Sequence, residues 1–84
     1  MRIELDKEAG ALYLQIASEI PAGAVARTLE IEPWVNLDLD AEGRPLGLEF
    51  VHAEDFQDFL ERHGGRLEIP DIVEDLGDLR LTPA

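Results

Sequence analysis

Asp38, Asp40 and Glu42 stand at the first, third and fifth places of the segment DLDAEGRPLGLE (residues 38–49), with Gly43 sixth and Glu49 twelfth. Alternating carboxylates around a glycine bend, closed by a glutamate at the twelfth place, are the donor set with which an EF-hand loop wraps calcium. The same residues also suit a β-hairpin turn, because Asp-Ala-Glu-Gly has turn chemistry and Gly43 can take a positive φ. The flanks weigh between the two. A calcium loop lies between helices, whereas residues 34–39 and 46–50 alternate as strands do, and Pro45 at the eighth place fixes φ and removes an N–H donor. Glu42 is also longer than the Asp or Asn usual at the fifth place. A hairpin turn is the expectation, and Asp38, Asp40, Glu42 and Glu49 are the candidate ligands of a divalent cation under the alternative reading.

Other chemistries find weaker footing. Asp38 and Asp40 would project from one face of a strand about 7 Å apart, a spacing that paired-carboxylate catalysis can use, but an exposed acidic edge is the expectation, since nothing in the sequence points to a site that would raise a carboxyl pKa. His52 and His63 lie about 16 Å apart if a helix connects them, too far to share a metal ion. Ser18 is the chain's single serine and has no glycine elbow around it. With no cysteine, thiolate metal sites, disulfides and cysteine nucleophiles are excluded. No catalytic residue and no cofactor site is expected, and the chain reads as a non-enzyme.

The elements that would position these groups follow from periodicity. Through residue 50 the apolar residues recur every second place: Ile3 and Leu5; Leu12, Leu14 and Ile16; Val25, Leu29 and Ile31; Val35, Leu37 and Leu39; Leu46, Leu48 and Phe50. That alternation predicts five short strands in an antiparallel meander, each with one face buried. Arg27 breaks its set, which places it near a sheet edge or against an acid. From Ala53 the period becomes helical, with Phe56, Phe59 and Leu60 at i, i+3 and i+4, and Gly64-Gly65 supplies a stop. The fold expected is α+β: a five-stranded antiparallel β-meander covered by one amphipathic helix (54–65), then an irregular or helical tail (66–84), all in a single domain. Within that tail a short strand at 66–69, a helical turn after Pro70 and a last strand at 78–81 are expected. Tyr13, Trp34 and Val51 fall on the phase opposite to the buried face; with Ala11, Ala24, Ala26 and Gly47 they would form a flat patch that either packs beneath the tail or meets a partner, and the three are the candidate interface residues.

Composition narrows the partners. Nineteen acids against seven bases give a formal charge of −12, with the excess shared between residues 1–48 (five) and 49–84 (seven). Such a field repels phosphate backbones and anionic lipid, so no nucleic acid or membrane is expected, and what remains is a well-solvated surface or a basic protein partner. A chain of 84 residues hides only about 60% of its unfolded surface on folding, which favours a homodimer. No apolar run approaches a membrane span and MRIELDKEAG lacks the apolar core of a signal peptide, which makes the cytoplasm the expected location.

Two stretches carry a family likeness. LDKEAGALYLQI (5–16) resembles the opening of domain of unknown function 2283, whose members begin with an aspartate, then Glu-Ala-Asp-Ala-Leu-Tyr and an apolar strand; here Gly10 stands where that pattern has Asp. PWVNLDLDAEGRPLGLEFVHA (33–53) is similar to the second signature of the same family, a proline-led strand, an Asp-rich turn with glycine, then Gly-Ile-Glu-Ile leading to a helix. The resemblance covers roughly residues 1–53 and implies the small β-sheet fold, with no activity, cofactor or catalytic residue to carry over. The functional expectation is a small acidic protein-interaction module, homo-oligomeric, antitoxin-like or regulatory toward a basic partner. The alternative is a small-ligand or cation binder that uses Asp38, Asp40, Glu42 and Glu49.

Overall fold

Two of the sheet's hairpins each turn on an aspartate that bonds its own turn. Asp6 Oδ1 accepts the backbone N–H groups of Glu8 and Ala9, both at 3.1 Å, and Gly10 follows at φ +68°. Asp40 Oδ1 accepts those of Glu42 (2.9 Å) and Arg44 (2.8 Å), with Gly43 at φ +81°. These are Asx turns, in which a short carboxylate replaces a strand partner and glycine takes the left-handed corner. The computed structural model describes residues 2–75. In it the first turn joins β1 (Arg2–Asp6) to β2 (Ala11–Gln15), and the second joins β4 (Val35–Leu39) to β5 (Pro45–Phe50); β3 (Arg27–Glu32) precedes β4 and helix α1 (Asp55–Arg62) follows β5.

All strands are antiparallel, in the order β1-β2-β5-β4-β3. β3, β4 and β5 run as a meander, and the β1–β2 hairpin joins it through β2 and β5. Residues 16–26 therefore travel along one end of the sheet to reach the far edge, tied by Ile16 and Ala17 N–H groups on the Leu46 carbonyl and by Ala26 N–H on that of Leu39 (2.8 Å). The strand expected from Ala24 begins at Arg27, and Val25 is exposed. Arg27 does lie on an edge strand, where its guanidinium donates to the Glu74 carbonyl at 2.5 Å.

One face of the sheet is the core. Leu14, Val35, Leu37, Leu39, Leu48 and Phe50 are buried there beneath Phe59 and Val73. Phe50 meets Phe56 and Phe59 edge-on, with ring centroids 5.1 Å apart in both pairs, the geometry that aromatic quadrupoles favour. α1 ends as expected: Gly64 and Gly65 take φ +72° and +76°, and Gly65 N–H returns to the Leu60 carbonyl at 2.7 Å.

Beyond the helix the expectations fail in part. Residues 66–69 form no strand, and no helical turn follows Pro70 within the described residues. Leu67 and Ile69 alternate because they press onto the core as a cover, and Val73 is sealed in with its N–H on the Gly43 carbonyl at 2.8 Å. A period of two is common to a laid-over segment and a paired strand, so it does not separate them. The strand expected at 78–81 lies outside the described residues.

Candidate binding face

The second face of the sheet is open, and its register decides which side chains meet. Glu4 lies opposite Tyr13, Tyr13 opposite Glu49, Glu49 opposite Asn36, Gly47 opposite Asp38, and Asp38 opposite Thr28. Strand alternation puts Arg2, Glu4, Asp6, Glu30, Asp38 and Glu49 on this face, five carboxylates and one base.

At its centre the Tyr13 ring lies across Gly47. A Cβ on Gly47 would stand 2.3 Å from the ring's Cζ and hydroxyl oxygen, so only glycine leaves room for the ring in this position. Tyr13 Oη donates to Asp38 Oδ2 at 3.0 Å, and Thr28 Oγ1 donates to Asp38 Oδ1 at 2.8 Å. Asn36 Nδ2 donates to Glu49 Oε1 at 3.1 Å. Two of the face's carboxylates are thus oriented by donors on other strands, Asp38 by Thr28 from the adjacent β3 and by Tyr13 from across β5. Burial pushes the Tyr13 phenol well above its usual value, and the Asp38 charge, the hydrogen bond to it and Glu49 push the same way. The phenol stays protonated and donates; it is no base or nucleophile at neutral pH.

Beside the ring is a shallow hollow of about 280 Å³ whose polar wall is Glu4, Asp6, Tyr13 and Glu49. Three carboxylates around an aromatic ring favour a cationic guest such as an ammonium or guanidinium group.

The other candidates scatter. Asp40 is committed to its turn, and Glu42 lies with it at the rim of a separate hollow formed by the 17–24 loop and the hairpin. The four acids proposed for calcium are therefore split between the open face (Asp38, Glu49) and the turn (Asp40, Glu42). Among the described residues no three His, Asp or Glu side chains converge as a metal would need. Trp34 and Val51 are joined by the Val51 N–H on the Trp34 carbonyl (3.0 Å). Trp34 is exposed, sits in the β3–β4 turn at φ +70°, and meets the His52 ring edge-on at 5.5 Å. The two histidines serve different places: His63 caps α1 beside Phe59 and bonds Glu32, whose other oxygen takes Arg62 at 2.7 Å. Ser18 lends its carbonyl to Gln15 Nε2 at 3.2 Å. Thr28, Asn36 and the role of Gly47 were beyond the sequence reading; a glycine in mid-strand was the one signal that another group approaches closely there.

No helix among the described residues is long and apolar enough to cross a membrane. No curated protein and no solved structure matches the chain significantly. Residues 2–54, which carry all five strands and every residue of the open face, match the family described as Protein of unknown function (DUF2283), and the chain belongs to that family.

Proposed function

We propose that the protein is a small non-catalytic interaction module whose open sheet face binds a basic protein, taking a lysine or arginine side chain into the hollow beside Tyr13. The observation that carries this reading is the face itself: five carboxylates against one base, two of them held in place by cross-strand donors, around a half-buried tyrosine. Carboxylates already oriented lose little side-chain entropy on meeting a cation, and the net charge of −12 draws a basic partner in from a distance. A regulatory partner, or an antitoxin-like inhibitor that covers a basic surface, would use such a face. The cation-binding alternative draws less support, because the turn already occupies Asp40, and Asp38 and Glu49 are engaged by donors on the open face.

Calorimetry with an arginine- and lysine-rich peptide tests the reading against an acidic peptide of equal length. Binding of the basic peptide should weaken as salt rises and fall at least several-fold in a Tyr13→Ala/Glu49→Gln variant. Equal affinity in that variant would refute the assignment of the face.

A further inference from the structure

The sheet has two edges, and they differ. β3 is guarded: its register slips between Glu30 and Glu32, Glu32 is held by Arg62 and His63, and the Arg27 side chain folds onto the Glu74 carbonyl. Bulges and charges of this kind blunt an edge against pairing. β1 has no bulge, and its charges, Arg2, Glu4 and Asp6, all lie on the open face. It runs five residues in unbroken register with β2, contains no proline or glycine, and directs no charge to the core-side face. On that face Ile3 is 57% and Leu5 is 55% exposed, although both lie opposite residues that face the core, Leu14 and Leu12. Among the described residues no strand pairs with the other side of β1.

The sequence of this edge complements itself. Two antiparallel copies of β1 related by a two-fold axis perpendicular to the sheet must pair residues of the same face. Centred on Glu4, the register covers all five residues: Arg2 stands opposite Asp6, Ile3 opposite Leu5, and Glu4 opposite its own copy. Centring on Ile3 or Leu5 cuts the overlap to three residues and replaces all of these pairs, setting Ile3 against itself between two Arg2–Glu4 pairs or Leu5 against itself between two like-charged Glu4–Asp6 pairs. Opposite charges and apolar pairs directly across a ladder favour association, while the Glu4 pair on the axis opposes it. Arg2, already 2.9 Å from Glu4 within the strand, softens that repulsion.

We propose that the chain forms a homodimer by antiparallel pairing of β1 with β1 of a second copy, in the register centred on Glu4, giving one continuous ten-stranded sheet. This dimer does not depend on the basic-partner reading, but it places the two hollows next to each other across the axis, since Glu4 lines both. The contact is short, so its affinity is modest and concentration decides the state.

Sedimentation equilibrium of the full chain, from low to high micromolar concentration, reads the dissociation constant directly. Leu5→Lys should raise it roughly tenfold or more, and Glu4→Gln should lower it several-fold. Arg2→Asp and Asp6→Arg should each weaken the dimer at low salt, and the double swap should restore it; circular dichroism confirms that each variant is folded. These residues are exposed, so a structural effect on the monomer would not reproduce the rescue. A monomer across the whole range, a dimer indifferent to Leu5→Lys, or a double swap no better than the single changes would overturn the proposal. Concentration-independent protection of those β1 amides that point away from β2 would do so too, by showing that another part of the same chain covers the edge.

Discussion

Gly47→Ala is a change of one methyl group that should act only through Tyr13. The new Cβ would stand 2.3 Å from the ring's Cζ and hydroxyl oxygen, so the ring must leave its seat. Overpacking of this kind costs about 1–3 kcal/mol. The departing hydroxyl also gives up its 3.0 Å bond to Asp38, although partial exposure keeps that loss near the low end of the roughly 1.5–3 kcal/mol typical of bonds to charged groups. Against this, alanine relieves the chain-entropy cost of glycine in a strand by about 0.5–1 kcal/mol. The expected net loss is about 2 kcal/mol. In a Tyr13→Ala background the clash and the hydrogen bond are both gone, and Gly47→Ala should be neutral or stabilise by about 0.5–1 kcal/mol. Urea unfolding of the four proteins gives the coupling, which should be about 2–3 kcal/mol. An equal cost in both backgrounds would show that Gly47 is required by its backbone and that the ring does not lie on it.

Phe59→Ala removes a fully buried ring packed edge-on against Phe50 and should cost about 3–5 kcal/mol, visible as loss of most of the unfolding transition in a domain of this size. Glu32 supplies a pH signature. Burial alone would raise its carboxyl, but the hydrogen bonds from His63 and Arg62 and their charges outweigh it and lower the value below the ordinary 4.5. A lowered folded value means stability that is present above about pH 4.5 and lost as pH falls through the folded value, so Glu32→Gln should be less stable than wild type at pH 7 and the gap should close in acid. Thermal melts from pH 7 down into acid check this, and a gap that does not narrow as pH falls below 4.5 would contradict it. Trp34→Gly should hold or raise stability by up to about 1 kcal/mol, because glycine takes the positive φ without the strain that an L side chain carries there; a clear loss would mean that the contact with His52 outweighs the strain.

What the sequence made legible is what alternation controls. VNLDL and PLGLEF alternate without interruption, and β4 and β5 have the bounds those patterns give. The helix of Phe56, Phe59 and Leu60 likewise follows from its period and its glycine stop. Periodicity assigns faces but not neighbours, which is why the pairing of β2 with β5 could not be read from it. The same gap separates the acids from their site. Asp38 and Glu49 stood out as calcium ligands because they lie eleven residues apart in a motif, yet their actual partners are Thr28, Tyr13 and Asn36 on other strands. Glu32 and its partners Arg62 and His63 are thirty residues apart and meet only once the helix is laid on the core. Leu67 and Ile69 carry a strand's pattern in a segment that covers the sheet without joining it.

The central claim is that the open face, and not the helix side, receives a basic partner. Amide chemical-shift mapping during titration of an arginine- and lysine-rich peptide tests it most directly. The account predicts that the shifts concentrate at Glu4, Asp6, Tyr13, Gly47 and Glu49 and shrink as salt rises, while residues of α1 stay in place. Shifts centred on α1 or on the 17–24 loop, or none at all with the peptide in excess, would contradict it.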